Sequence, residues 1–295
     1  MMKIAALDIG GTAIKAGVLD QEGTLLSQGQ WDTCAHQGAS HLIQQIISII
    51  GDSYGVDRVG ISITGQVEPA TGVIRFATEA MPGFTGTPLK AILEAETGLW
   101  VAVENDVNCA ALGEAHFGAA KGIRDFLCVT YGTGIGGAIF IGGGLYYGAH
   151  GSAGEFGHLQ THSGDGLLCG CGRRGCYEMY GSVNALIRRI YRRTGIQMDG
   201  RLIFARKADE VIARELREWI DEIAWGLVSL VHCFHPPLIV LGGGVMEQEY
   251  LLDEICLRLN QWLMPSFRDV SVMPAKLGNR AGLMGAFYKA LHFEI

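Results

Sequence analysis

Three cysteines within eight residues, Cys169, Cys171 and Cys176, form the densest group of soft ligands in this 295-residue chain. Reduced thiols at that spacing have the grouping of a metal site and not of a disulfide framework. The other five, Cys34, Cys109, Cys128, Cys233 and Cys256, lie in apolar or unremarkable settings and read as core thiols. A second chemistry is written in glycine turns. Asp8-Ile-Gly10-Gly11-Thr12, Gly132-Thr133-Gly134-Ile-Gly136-Gly137 and Gly242-Gly243-Gly244 each follow an apolar run. Glycine after a strand lets backbone amides approach phosphate oxygens, so three such turns together suit a nucleoside triphosphate, although each alone would read as a hairpin turn. Asp8 adds a carboxylate for magnesium, and Thr12 and Thr133 add hydroxyls for phosphate.

The acids are open to two readings each. Asp106 stands where a strand gives way to a helix, a position that suits an N-cap as well as a catalytic group, and Asn105 beside it reads as a turn former. Glu155 lies in Gly-Ser-Ala-Gly-Glu-Phe-Gly-His, a small-residue loop with too little apolar surface for a core, so it is either solvated or aimed at a ligand. Of two nucleotide motifs, one is disfavoured and one is excluded. Gly132 to Gly137 spells G-x-G-x-x-G, but a strand-like Ala-Ile-Phe-Ile follows where the dinucleotide fingerprint needs a helix. The pattern G-x-x-x-x-G-K-[ST] of the P-loop is absent.

The elements that must position these residues alternate. Residues 3–9 read as a buried strand, Gly10 to Thr12 as a tight turn, and Ile14 to Leu19 as a returning strand. A helix over 42–50, a strand over 59–63, a loop-rich stretch over 69–88, a helix near 88–97, a strand near 100–104 and a helix over 106–117 follow. After the linker-like Gly118 to Gly122 the theme restarts: a strand over 126–131, a glycine turn over 132–137 and a strand over 138–141. A long apolar-striped helix around Trp219 to Val231 then leads into Leu238-Ile-Val-Leu-Gly242. The expectation is two α/β domains with a central cleft: 1–118, completed by a C-terminal helix over about 281–295, and 119–280.

Composition agrees. Hydrophobic residues at 48% and charged residues at 18% supply cores and exclude disorder. A net charge of −7 without basic clusters argues against nucleic acid or an anionic membrane as partner. Residues 126–149 carry no charge, but eight glycines there make a poor membrane helix. The opening Met1-Met2-Lys3 lacks the apolar core and cleavage site of a signal peptide, so a cytoplasmic location is expected.

In order along the chain, Asp8-Ile-Gly10-Gly11-Thr12, Glu104-Asn105-Asp106-Val107-Asn108, Gly132 to Gly137, Glu155-Phe-Gly157-His158, Cys169-Gly-Cys171-Gly-Arg-Arg-Gly-Cys176 and Leu241-Gly-Gly243-Gly resemble the motifs of the ROK family of sugar kinases. The resemblance spans nearly the whole chain. It implies an actin-like ATPase (ribonuclease H-like) fold, with two α/β domains closing over sugar and ATP, and transfer of the γ-phosphate to a hexose hydroxyl, commonly at C6. It implies Asp106 as the catalytic base, and Gly65, Asn105, Glu155, His158 and Glu178 with it as sugar-binding residues. The nucleotide side would fall to Asp8, Gly10, Gly11, Thr12, Thr133, Gly134 and Gly243, with Mg2+. His158, Cys169, Cys171 and Cys176 make a closed Cys3His set, the pattern of structural zinc. With one ring nitrogen on zinc, the other keeps its proton and can donate to a sugar hydroxyl. A homodimer is expected as well.

One departure bears on the substrate. Where many members of the family carry Pro-Gly, this chain has Thr64-Gly65-Gln66-Val67-Glu68; with Pro82-Gly-Phe-Thr-Gly86-Thr it looks more like the β-glucoside kinase branch than a simple glucokinase. Two other classes are weighed. A sugar-responsive ROK repressor places a helix-turn-helix ahead of this fold, and the first strand here begins at residue 3. A plain actin-like ATPase would leave the cysteine stretch and Glu155 to His158 unexplained.

Overall fold

In the first strand, Ala5, Leu7 and Ile9 join one hydrophobic core while Ile4 and Ala6 join another, the period-two pattern of a strand buried on both faces. The computed structural model describes residues 2–78 and 81–292. In chain order its elements are β1 (Lys3–Ile9), β2 (Ala13–Asp20), β3 (Leu25–Asp32), α1 (Ala39–Gly51), β4 (Arg58–Ile63), β5 (Gln66–Val67), β6 (Ile74–Phe76), α2 (Leu89–Thr97), β7 (Trp100–Asn105) and α3 (Asp106–Phe117). They continue as β8 (Phe126–Tyr131), β9 (Ile135–Ile141), β10 (Gly144–Leu145), α4 (Glu178–Gly181), α5 (Val183–Thr194), α6 (Gly200–Ala205), α7 (Glu210–Phe234), β11 (Leu238–Gly242), α8 (Glu249–Trp262), β12 (Ser271–Pro274) and α9 (Ala281–His292).

Contacts divide the chain into two units: Met1–Arg124 with Ile139–Ala153 and Asn279–Ile295, and Asp125–Ala138 with Gly154–Gly278. The first unit thus runs past residue 118 and takes in the segment Ile139–Ala153, which the sequence reading assigns to the second domain. The last three positions of the helix expected over 281–295 lie outside the described residues.

The sheet of the first unit has the order β3-β2-β1-β4-β7, with β1 antiparallel to β2 and parallel to β4, and β4 parallel to β7. One face is covered by the Leu42, Ile46, Ile49, Ile50 stripe of α1 and by Leu89 and Leu93 of α2. On the other face Leu283, Ala286, Phe287 and Ala290 of α9 pack with Cys109 of α3. Close approach is built into α9. A Cβ at Gly285 would strike the Cys109 carbonyl, and one at Gly60 of β4 would strike the Ala286 carbonyl. The helices therefore meet the sheet and each other through backbone, which only glycine permits.

The second sheet has the order β10-β9-β8-β11-β12, with β11 parallel to both β8 and β12. Helix α7 buries Ile212, Leu216, Trp219, Ile220, Ile223, Leu227, Leu230 and Val231 at helical spacing. The uncharged stretch 126–149 holds β8, β9, β10 and their turns, and no helix among the described residues is long and apolar enough to cross a membrane.

Two local expectations are corrected, and one strand is added. The turn expected over 132–137 is shorter, since β9 already begins at Ile135. Strand β3 escapes the hydrophobic pattern because it is an edge strand whose residues are mostly exposed. Cys233 is exposed and is not a core thiol.

Candidate active site

Strands β1, β4 and β7 are parallel, and their register aligns Asp8, Ser62 and Glu104 in one polar row across otherwise apolar strands. One position on, β7 ends at Asn105 and α3 begins at Asp106. The cap of α3 is Asn105, not Asp106: its side-chain oxygen accepts from the N–H groups of Val107 at 2.9 Å and Asn108 at 3.0 Å. Its amide nitrogen donates to the Gly65 carbonyl and to Asp106 Oδ1, both at 2.9 Å. Asn105 therefore spends both donors and both acceptor sites on its neighbours.

Freed from capping, the Asp106 carboxylate occupies the first helical position. Its Oδ2 accepts from Thr64 Oγ1 at 2.8 Å, and its Oδ1 accepts from Asn105 and from the Val107 N–H at 2.9 Å. Desolvation, with a smaller push from the Asp8 carboxylate, raises its pKa to about 6 against those stabilising hydrogen bonds. Such a group is ionised at neutral pH and is basic enough to take a proton from a hydroxyl. Gly65 holds φ at +120°, where a side chain would strain the backbone, and a Cβ there would lie 2.9 Å from the Phe76 carbonyl.

Asp8 accepts from Ser62 Oγ at 2.6 Å, and a Cβ at Gly282 of α9 would strike its carboxylate. Burial raises its pKa, opposed by the Ser62 hydrogen bond and the charge of Lys15. The turn after it is held from below: Gly10 N–H donates to the Ala13 carbonyl at 3.0 Å and Thr33 Oγ1 donates to the Gly10 carbonyl at 2.7 Å. Gly11 and Thr12 are exposed, and a Cβ on Gly11 would meet no protein atom within 4 Å. The bare backbone of that turn is therefore open to a ligand.

The second unit gathers the other candidates. Thr133 is exposed on the turn between β8 and β9, and a Cβ at Gly134 would lie 2.7 Å from Glu178 Oε2. Gly243, at φ +98°, packs so closely on the Tyr131 backbone that no larger residue fits. The ligand atoms of His158, Cys169, Cys171 and Cys176 lie within 4.8 Å of one another. A tetrahedral zinc site with thiolates at ~2.3 Å has ligand separations of roughly 3.8 Å, so the four atoms fit such an ion after a small contraction. His158 presents Nδ1 to Cys169 Sγ at 3.7 Å and Nε2 to Glu155 at 3.9 Å. Glu178 Oε1 lies 3.1 Å from Cys169 Sγ and 4.0 Å from His158 Nδ1. His158 thus stands within 4.0 Å of both Glu155 and Glu178, beside the cysteines.

A family model described as the ROK family matches residues 4–292. The chain belongs to the ROK family. It is 37% identical over 305 residues to a glucokinase of Streptomyces coelicolor, with 95% of each chain covered. To a β-glucoside kinase of Listeria innocua it is 37% identical over 305 residues, with 99% of each covered. Among solved structures it is similar to a ROK family glucokinase from Streptomyces griseus in complex with glucose and AMPPNP. The TM-score there is 0.87, at 38% identity over 98% of this chain and 99% of that one. The α/β architecture of this ROK protein is accordingly the actin-like ATPase fold.

Sequence reasoning left several site residues of this ROK chain without a part. Thr64 was visible only as a departure from Pro-Gly, yet it donates to Asp106. Ser62, the partner of Asp8, becomes visible once β1 and β4 are paired, because polar residues at the carboxyl ends of parallel strands converge on a ligand.

Proposed function

We propose that the protein is an ATP-dependent sugar kinase that transfers the γ-phosphate of ATP to a hexose hydroxyl, the 6-hydroxyl of glucose or of a β-glucoside. The observation that carries this reading is Asp106: a carboxylate raised to about 6, fixed by Thr64, Asn105 and the Val107 N–H at the first turn of α3. As the sugar oxygen attacks the γ-phosphorus, its proton passes to Asp106. The bond from that phosphorus to the bridging oxygen breaks, and ADP leaves with the electron pair. Asn105, with its amide already engaged, orients Asp106; Gly65, Glu155, His158 and Glu178 would bind the sugar.

The exposed turn at Gly10 to Thr12, with Thr133, Gly134 and Gly243, would receive the nucleotide phosphates. Asp8 would hold magnesium together with phosphate oxygens, and that ion would neutralise charge on the transferring phosphoryl group. Zinc held by His158 Nδ1, Cys169, Cys171 and Cys176 would supply order and no reaction chemistry, leaving Nε2 protonated on the side facing Glu155.

Asp8→Ala should lower kcat on the order of 10²-fold, in the range seen when one charge-stabilising group is removed. Sugar affinity measured by calorimetry without nucleotide should stay close to wild type; loss of that affinity at an unchanged rate would reassign Asp8. The reading as a whole is tested with a panel of hexoses and β-glucosides offered with ATP and magnesium. ADP release that depends on one of these acceptors is expected, and release at the same rate with none of them contradicts the reading. The similarity to both a glucokinase and a β-glucoside kinase makes both acceptor classes necessary in that panel.

A further inference from the structure

Glu104 is only 1% exposed, at the end of β7 and directly before Asn105 and Asp106. A buried carboxylate is costly unless it is paired and hydrogen-bonded, and this one is satisfied from four directions. Oε2 accepts from Lys289 Nζ of α9 at 2.8 Å and from the Tyr147 hydroxyl at 2.6 Å. Oε1 accepts from Asn108 Nδ2 of α3 and from the Asn105 N–H, both at 3.0 Å. Lys289 also donates to the Tyr147 oxygen at 2.7 Å, closing a triangle of charged and polar groups in the first unit. Neither Glu104, Lys289 nor Tyr147 has a part in the reaction above.

We infer that Glu104, with Lys289 and Tyr147, is a positioning residue that fixes the corner of β7 and α3 from which Asp106 projects. The geometry supports this in two ways. Oε1 holds the backbone of Asn105 and the side chain of Asn108, on either side of Asp106 and Val107, so it sets the first turn of α3 from behind. Oε2 ties that turn to α9 and, through Tyr147, to the segment Ile139–Ala153. That segment is held to the first unit at further points, including Arg75 to the His150 carbonyl and Ser152 to Gln66. Two residues after Ala153 the chain reaches Glu155. One carboxylate thereby anchors the corner that carries Asp106 and the segment that leads to Glu155.

The catalytic part of this inference rests on Asp106 as the base; the anchoring part does not. The test is the paired variant Glu104→Gln with Lys289→Met, which removes both charges together so that neither is left buried alone, a change often neutral for stability. Expected are a kcat lowered about 10- to 100-fold, as for a small misplacement of a reacting group, an unchanged KM for ATP, and faster amide exchange at Val107, Asn108 and residues 144–153. Tyr147→Phe, which keeps the ion pair, should raise the KM for sugar and quicken exchange at 144–153 alone. Wild-type exchange at those amides, or faster exchange spread evenly over β1, β4 and β7, overturns the anchor. If the paired variant does not fold, wild-type exchange and KM in Tyr147→Phe overturn it. A wild-type enzyme without sugar-dependent ADP release removes the kinase reading, and the exchange data still judge the anchor.

Discussion

Asp106→Asn is expected to lower kcat by about 10²- to 10⁴-fold, the usual contribution of a positioned general base. The fold should survive, because the cap of α3 belongs to Asn105 and the asparagine can keep hydrogen bonds to Thr64 and to the Val107 N–H. Stability should rise at neutral pH. The carboxyl goes from 3.8 in the unfolded chain to about 6 in the folded one, so folding favours its protonated form. That contribution is fully present below 3.8 and is lost as pH rises through 6; at pH 8 the ionised group costs on the order of 3 kcal/mol. Thermal melts should therefore place the variant above wild type at pH 8, with the gap closing as pH falls from 6 toward 4. A purely structural Asp106 predicts near-normal turnover in the variant. The same value predicts that wild-type kcat/KM falls on the acid side with an apparent pKa near 6.

The second large effect is loss of zinc. Protein purified without chelator should carry about one zinc per chain, and elemental analysis without zinc would refute the site. Structural zinc contributes folding free energy directly, because the ligand set does not preexist in the unfolded chain. Stripping the metal, or Cys169→Ser, should loosen the stretch from His158 to Glu178, lowering the melting temperature and weakening sugar binding together. ATP binding should be less affected, since none of its expected ligands belongs to the cluster. Parallel loss of ATP and sugar affinity would place the metal elsewhere in the account.

How far the residues announced these features depended on range. Cys169, Cys171 and Cys176 are close in sequence, and His158 is eleven residues from the first of them, so short spacing and ligand chemistry sufficed. The strands β1, β4, β7 and β8 were legible because they are continuous apolar runs. Strand β3 was not, because its exposed edge carries no such run. The cap of α3 was misplaced by one residue: Asn and Asp are equally good caps, and only the hydrogen bonds to Val107 and Asn108 separate them. The tie of Ile139–Ala153 to the first unit, and the pairing of Glu104 with Lys289 at a separation of 185 residues, depend on tertiary proximity that no local pattern encodes.

The most direct measurement is phosphorus and carbon NMR of the reaction with ATP, magnesium and the accepted sugar. A phosphomonoester on the 6-carbon is predicted, formed in step with ADP by the wild type and reduced about 10²-fold or more by Asp106→Asn. ADP and free phosphate appearing at equal rates with and without sugar would contradict the account.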